Sequence, residues 1–116
     1  MWKAGSEYVG DLKKLVSNLG LKLAEDVSIK GRSGIKHFFK LVVKNSKIVT
    51  VINFSTHLTV REVCEGYVYK IDVGIPQIIL YVDKEEDAEK IASQLNVGIF
   101  SVNELRRLKE YIIQHK

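Results

Sequence analysis

A run of basic residues is the feature of this sequence best suited to chemistry. Between Asp26 and Glu62 the chain has no acidic residue, yet it carries seven positive side chains there. They are Lys30, Arg32, Lys36, Lys40, Lys44, Lys47 and Arg61. Clustered positive charge attracts anions, including the phosphates of nucleic acids. We therefore expect this segment to contact DNA or RNA.

The spacing within the run indicates how the lysines are displayed. Residues 35–44 alternate with period two, which predicts a strand with one apolar face. Lys36, Lys40 and Lys44 then share the other face with Phe38, whose ring could stack on a base. Two other interpretations stay open: the lysines protect an exposed sheet edge, or they meet an acidic protein partner.

Other kinds of site find less support. One cysteine, Cys64, and three scattered histidines cannot supply a structural zinc site. Gly31 and Gly34 flank a hairpin-like turn, whereas a phosphate-binding loop joins a strand to a helix. His37 falls on the apolar face and is expected in the core or at its boundary. His57 is a weak catalytic candidate, because the sequence offers it no evident orienting partner.

Length and composition point to one globular domain over residues 1–116. Hydrophobic residues make up 46% of the chain and charged residues 28%, and the formal net charge is +4. A single cysteine excludes an intramolecular disulfide. No signal peptide or apolar run of about 18 residues is visible, so we expect a cytoplasmic protein with no membrane contact.

Periodicity and turn residues predict nine elements. Strands are expected at 21–29, 35–44, 47–54, 77–82 and 97–100, and helices at 5–19, 59–73, 84–95 and 102–114. Asp83 is expected to cap the third helix, and Ser101 with Glu104 to form a capping box before the fourth. In the second helix, Cys64 falls on the expected inward side, and Tyr67, Tyr69 and Ile71 form a candidate dimer face.

The order of these elements is αβββαβαβα. A three-stranded meander followed by βα units predicts an α/β protein with a mixed central sheet of about five strands. About four helices should then cover both faces of that sheet.

Three stretches carry a resemblance to a known family. GSEYV at 5–9 opens a helix, GRSGIKHFFK at 31–40 is a turn leading into a strand, and GIPQ at 74–77 precedes a buried strand. In this order and spacing they resemble the PD-(D/E)XK superfamily, and most of all the archaeal Holliday junction resolvases. The resemblance implies a restriction endonuclease-like three-layer fold over nearly the whole chain.

The same resemblance implies where catalysis would occur. The family places a metal-binding Asp on the second strand, and an acidic residue and a lysine, two apart, on the third. In this sequence those positions hold Lys40, Val51 and Asn53. A lysine repels a cation and a valine cannot bind one, so we expect no catalytic residues, no metal and no cofactor.

Relocated carboxylates are the alternative to this loss. Glu62 or Glu65 of the following helix, or Glu7 or Asp26, could approach the site and bind Mg²⁺. Glu62 and Glu65 lie on a charged helix, where solvent exposure is the simpler expectation.

Three functions follow from these readings. The first is a catalytically inactive nuclease-fold protein that binds nucleic acid, DNA above all, through a basic strand face. The second is an Mg²⁺-dependent endonuclease or junction resolvase with relocated carboxylates. The third is a regulator that binds a protein partner in DNA transactions or transcription. The resolvase resemblance also makes a homodimer plausible.

Overall fold

Nine elements follow one another along residues 8–115, the part of the chain that this computed structural model describes. The helices are α1 (Val9–Asn18), α2 (Val60–Val73), α3 (Ala88–Leu95) and α4 (Leu105–His115). The strands are β1 (Lys22–Lys30), β2 (Lys36–Lys44), β3 (Ile48–Leu58), β4 (Gln77–Lys84) and β5 (Gly98–Ser101). The predicted α/β class and the order αβββαβαβα are confirmed.

The five strands form one mixed sheet in the order β1-β2-β3-β4-β5. β1, β2 and β3 are antiparallel neighbours joined by short turns. β4 runs parallel to β3, and β5 runs parallel to β4. Parallel neighbours need a crossover, which α2 and α3 supply.

Helices cover both faces of the sheet. On one face α1 and α4 pack against the strands through a cluster that includes Leu12, Val16, Leu41, Val43, Ile52, Ile78, Leu80, Leu108 and Ile112. On the other face α2 and α3 cover two smaller clusters. One contains Val63, Ile79, Ala88 and Ala92, and the other contains Phe39, Val42 and Val51 beneath Tyr69 and Val73.

The helix α2 is fixed at both ends by local interactions. Thr59 and Glu62 form a reciprocal capping box, and Gly74 ends the helix with a φ of 71°. Its buried residues are Val63 and Gly66. The prediction that Cys64 faces inward is wrong, because Cys64 is exposed. Gly66 faces Ile79, and a Cβ there would lie at an ordinary contact distance of 3.4 Å from the Cδ1 of Ile79.

Two helix starts differ from the predictions. Asp83 does not cap α3, because it extends β4 opposite His57, and Asp87 is the N-cap residue instead. Ser101 lies a turn before α4, where its hydroxyl accepts a hydrogen bond from the Asn103 amide at 3.1 Å. The Glu104 amide donates to the Ser101 carbonyl, at 2.9 Å. Residues 5–7 of the predicted first helix lie outside the described residues.

Candidate nucleic-acid interface

The start of β2 presents different chemistry on its two faces. His37 and Phe39 face α2: their rings lie 5.3 Å and 5.6 Å from the Tyr69 ring, between centroids. Because side chains alternate along a strand, Lys36 and Phe38 lie on the opposite face. Phe38 is 78% exposed. This surface therefore combines a positive charge with an uncovered aromatic ring.

The neighbouring strand adds a second lysine to this surface. Lys30 of β1 lies directly opposite Lys36, and Ser28 lies opposite Phe38. Like charges at opposed positions destabilise a sheet, whereas a phosphate between them would be attracted by both. We call Lys30, Lys36 and Phe38 the hairpin surface.

Lys40 continues this strand but is engaged with a carboxylate. Its Nζ lies 3.2 Å from Oδ1 of Asp26. Asp26 has a φ of 53° and is skipped in the β1–β2 pairing, so both strands are irregular here. Together with Phe38 and Phe39, the pair lines a cavity of about 170 Å³.

The irregularity changes the face on which later side chains of β2 lie. Before it, Phe39 packs towards α2; after it, Leu41 and Val43 pack in the cluster of α1 and α4. Lys44 lies opposite Ile48, which packs against the cluster under α2, so Lys44 lies on the α2 face. The prediction of one face shared by Lys36, Lys40 and Lys44 is thus wrong, because a regular alternation was assumed through residue 40.

The remaining basic residues lie away from the hairpin surface. Lys44 is opposite Lys22 at the far end of β2, roughly 25 Å from Lys36 by strand rise, and Lys47 follows in the next turn. Arg61 is on α2, where its Nε lies 3.5 Å from Oε2 of Glu65. Arg32 is in the β1–β2 turn. The seven positive side chains therefore do not form one continuous site.

The three positions matched to the nuclease motif do not share a cavity. Val51 is fully buried in the cluster with Phe39 and Val42. Asn53 donates from Nδ2 to Oε1 of Gln77 at 3.1 Å and to the Ile78 carbonyl at 3.3 Å. Lys40 lies with Asp26 instead. A cationic, an apolar and an amide-donating side chain do not fit a divalent metal.

The carboxylates considered as relocated metal ligands have local structural roles or lie outside the described residues. Oε1 of Glu62 accepts hydrogen bonds from the Ser55 hydroxyl at 2.8 Å and the Thr59 amide at 3.0 Å. The expectation that Glu62 is simply solvated is therefore wrong. Glu62 and Glu65 line a small cavity of about 120 Å³ beside Asn53. Glu7 lies outside the described residues, and within 8–115 no three His, Cys, Asp or Glu side chains are grouped to hold a metal.

On the α2 face, Asp72 fastens the β1–β2 turn to the helix. Oδ2 accepts from the Ser33 hydroxyl at 2.7 Å and contacts Nε2 of His37 at 2.6 Å, and Oδ1 accepts from the Ser33 amide at 2.8 Å. The hydrogen bond to His37, followed by those from Ser33, lowers the pKa of Asp72 from 3.8 to about 2. A Cβ at Gly31 would lie 2.0 Å from Oδ2, so a larger residue there would have to displace the Asp72 carboxylate from these contacts.

A groove opens beside this cluster. It has a volume of about 450 Å³, and its apolar lining comes from Ile35, Tyr67, Val68 and Ile71. Arg32, Ser33, His37 and Asp72 complete the lining. Tyr69, placed on the candidate dimer face by the sequence, instead packs inward against Phe39. The sequence of α2 has more apolar residues than one buried stripe needs. This surplus was the sequence signal for an exposed apolar groove.

His57 has a partner that the sequence did not reveal. Its Nδ1 lies 2.5 Å from Oδ1 of Asp83, and both side chains are mostly exposed. The pairing depends on the parallel register of β3 and β4, which places the two residues side by side. His37 lies half-buried at the edge of the core, as predicted.

Comparison with other proteins adds no relative. No family model, no curated protein and no solved structure matches the chain. Within residues 8–115, none of the helices combines the length and apolar character that crossing a membrane requires.

Proposed function

We propose that this protein binds nucleic acid, DNA above all, through the hairpin surface and does not cleave it. The observation that carries the proposal is the exposed ring of Phe38 beside two opposed lysines. An aromatic ring offers a stacking platform for a base, and lysines attract the flanking phosphates. Stacking needs a base outside a duplex, so the preferred ligand is an unpaired or branched segment.

The fold supports the proposal by its topology. The sheet order β1-β2-β3-β4, with three antiparallel strands and a fourth parallel to the third, agrees with the restriction endonuclease-like arrangement that the sequence resembles. The family that the sequence resembles acts on DNA, which is why DNA is the favoured ligand. This support is an analogy of fold, whereas the hairpin surface is a property of these residues.

The loss of catalysis is supported by the three motif positions. Phosphodiester cleavage in the resembled family depends on carboxylates that hold a metal ion. Here Val51 is sealed in the core, Asn53 is bound to Gln77, and Lys40 adds a positive charge.

A fluorescence anisotropy titration with a labelled single-stranded oligonucleotide tests the binding. Replacing Phe38 by Ala is expected to weaken binding by about 1–3 kcal/mol without changing its salt dependence. K30E and K36E are each expected to lower the slope of log K against log salt by about 0.7. Lys90 is exposed on α3, so K90E is the matched charge-reversal control and should bind like the wild type.

The outcomes separate the proposal from its competitors. No binding at low salt, or equal binding by F38A, K36E and K90E, would contradict a nucleic-acid role for this surface. A loss of affinity in K36E but not in F38A would contradict stacking on Phe38 and would leave only non-specific charge attraction.

A cleavage assay tests the inactive state. Plasmid and branched-junction DNA should stay intact with Mg²⁺ or Mn²⁺. Cleavage that disappears in E62Q would instead establish an endonuclease with a relocated carboxylate. Glutamine keeps an oxygen for the Ser55 and Thr59 donors, so this variant should retain much of the helix cap.

A further inference from the structure

The second feature of the β1–β2 hairpin is the groove on its α2 face, which the nucleic-acid proposal does not use. Four apolar side chains line it, and three of them are at least half exposed: Ile35 and Val68 at 60% and Ile71 at 50%. Scattered exposed apolar residues are ordinary on protein surfaces, whereas a contiguous set in a concave site is typical of a binding site.

One end of the groove is positively charged. A second cavity, of about 250 Å³, shares Arg32 and Ile71 with the first and adds Lys70, Gly74, Ile75 and Pro76. No described carboxylate lies within 4 Å of the Arg32 guanidinium. The Lys70 ammonium group donates to the Asn96 carbonyl at 3.0 Å. Two cations therefore flank this end.

Asp72 is the acidic residue of the lining, and its oxygens are already occupied. Ser33 donates to both oxygens, and His37 contacts Oδ2. The carboxylate is thus turned towards the hairpin turn and His37. The attraction for an incoming anion is left to Arg32 and Lys70.

We propose that this groove binds a short segment of another protein in which apolar side chains adjoin an aspartate or glutamate. The apolar residues occupy the space between Ile35 and Val68, and the carboxylate pairs with Arg32, whose guanidinium can hold it with two hydrogen bonds. Lys36 and Phe38 point away from this face, so a peptide and a nucleic acid can bind together. The protein is then an adaptor between the two.

Selection of random peptides displayed on phage, with the full-length protein as target, tests the proposal. Enriched peptides should combine apolar residues with Asp or Glu. In anisotropy titrations an enriched peptide should bind R32E and V68D about tenfold more weakly or worse. Both residues are exposed, so circular dichroism should show unchanged folding.

Two controls fix the interpretation. R61E reverses a charge on the same helix outside the groove and should bind the peptide like the wild type. F38A should also retain the peptide, which keeps this test independent of nucleic-acid binding. If F38A loses DNA and keeps the peptide, both proposals stand; if DNA never binds, the peptide result still decides this one.

Three results would overturn the proposal. The first is enrichment of peptides without acidic residues, or no enrichment above that on V68D. The second is equal binding of the peptide by R32E. The third is a homodimer that V68D dissociates in sedimentation velocity, because a second copy of the chain would then cover the groove.

Discussion

Phe38 and Phe39 are consecutive residues of the same strand and have opposite roles. Phe39 is 4% exposed and packs edge-on against Tyr69, whereas Phe38 is 78% exposed beside Lys36. The sequence gives the two rings the same chemistry, and the pleat of the strand separates them. One stabilises the sheet against α2, and the other is available to a ligand.

The contrast extends to the whole start of β2. Towards α2, Ile35 and His37 border an apolar groove, and Asp72 ties the turn to the helix. On the other face, Lys36 and Phe38 are exposed and oppose Lys30 and Ser28. The packing of His37 and Phe39 against α2 therefore holds Lys36 and Phe38 on the opposite, exposed face of the hairpin.

The largest expected effect concerns the two rings themselves. Replacing Phe39 by Ala should lower the free energy of unfolding by about 3–5 kcal/mol, because it opens a cavity under α2. Replacing Phe38 by Ala should change it by less than about 0.5 kcal/mol. Urea unfolding followed by circular dichroism measures both. Equal losses of unfolding free energy in F39A and F38A would contradict the assignment of a structural role to Phe39 alone.

The close approach of Gly31 to Asp72 gives the next effect. G31A should destabilise the protein by about 1–3 kcal/mol, because a methyl group displaces the carboxylate that holds the turn. Gly10 is the matched control, since a Cβ there meets nothing within 4 Å. G10A should instead stabilise α1 by about 0.5–1 kcal/mol. Similar thermal melts for the two variants would show that the turn is not fastened as described.

The lowered pKa of Asp72 predicts an acid-sensitive contribution to stability. The folded pKa is about 2 and the ordinary value is 3.8, so the unfolded chain takes up the proton first as the pH falls. The contribution is complete above 3.8 and is lost towards about 2. The stability difference between the wild type and D72N should therefore shrink across this window. A difference that stays constant with pH would contradict the bonding of Asp72.

The smallest effect concerns the opposed lysines. Replacing Lys36 by Glu places an opposite charge beside Lys30 and should raise stability by about 0.2–1 kcal/mol at low salt. The same variant should lose affinity for nucleic acid. If the variant is more stable but binds nucleic acid more weakly, the repulsion between Lys30 and Lys36 costs stability while the two charges serve ligand binding. A variant that is neutral in both measurements would make this lysine pair incidental.

Regular features of the fold could be predicted from the sequence. The alternation of residues 35–44 and the apolar run after Gln77 predicted β2 and β4, and the βα order predicted the mixed sheet. What failed depended on tertiary context. An aspartate just before a helical segment commonly caps the helix, but here the pairing with His57 keeps Asp83 in β4. Cys64 fits a helical stripe, but the stripe that packs on the sheet is the one that contains Val63 and Gly66.

The candidate site shows the same division. The exposed face shared by Lys36 and Phe38 was predicted from the period of the strand, and the stacking role of Phe38 stays a prediction. The irregularity at Asp26 and Lys40, which turns Lys44 to the other face, has no local signal, because it involves two strands at once. The surplus of apolar residues on α2 signalled an exposed apolar face, but the groove itself was hidden, because Arg32 and Ile35 are distant in sequence from Val68 and meet it only after the hairpin docks on the helix.

A ¹⁵N-labelled sample titrated with a thymidine oligonucleotide tests the central claim most directly. The account predicts that amide shifts concentrate on Ser28, Lys30, Lys36 and Phe38, while Val68 and Ile71 of α2 stay unchanged. Shifts centred on α2, or no shifts at low salt, would contradict the assignment of nucleic-acid binding to the hairpin surface.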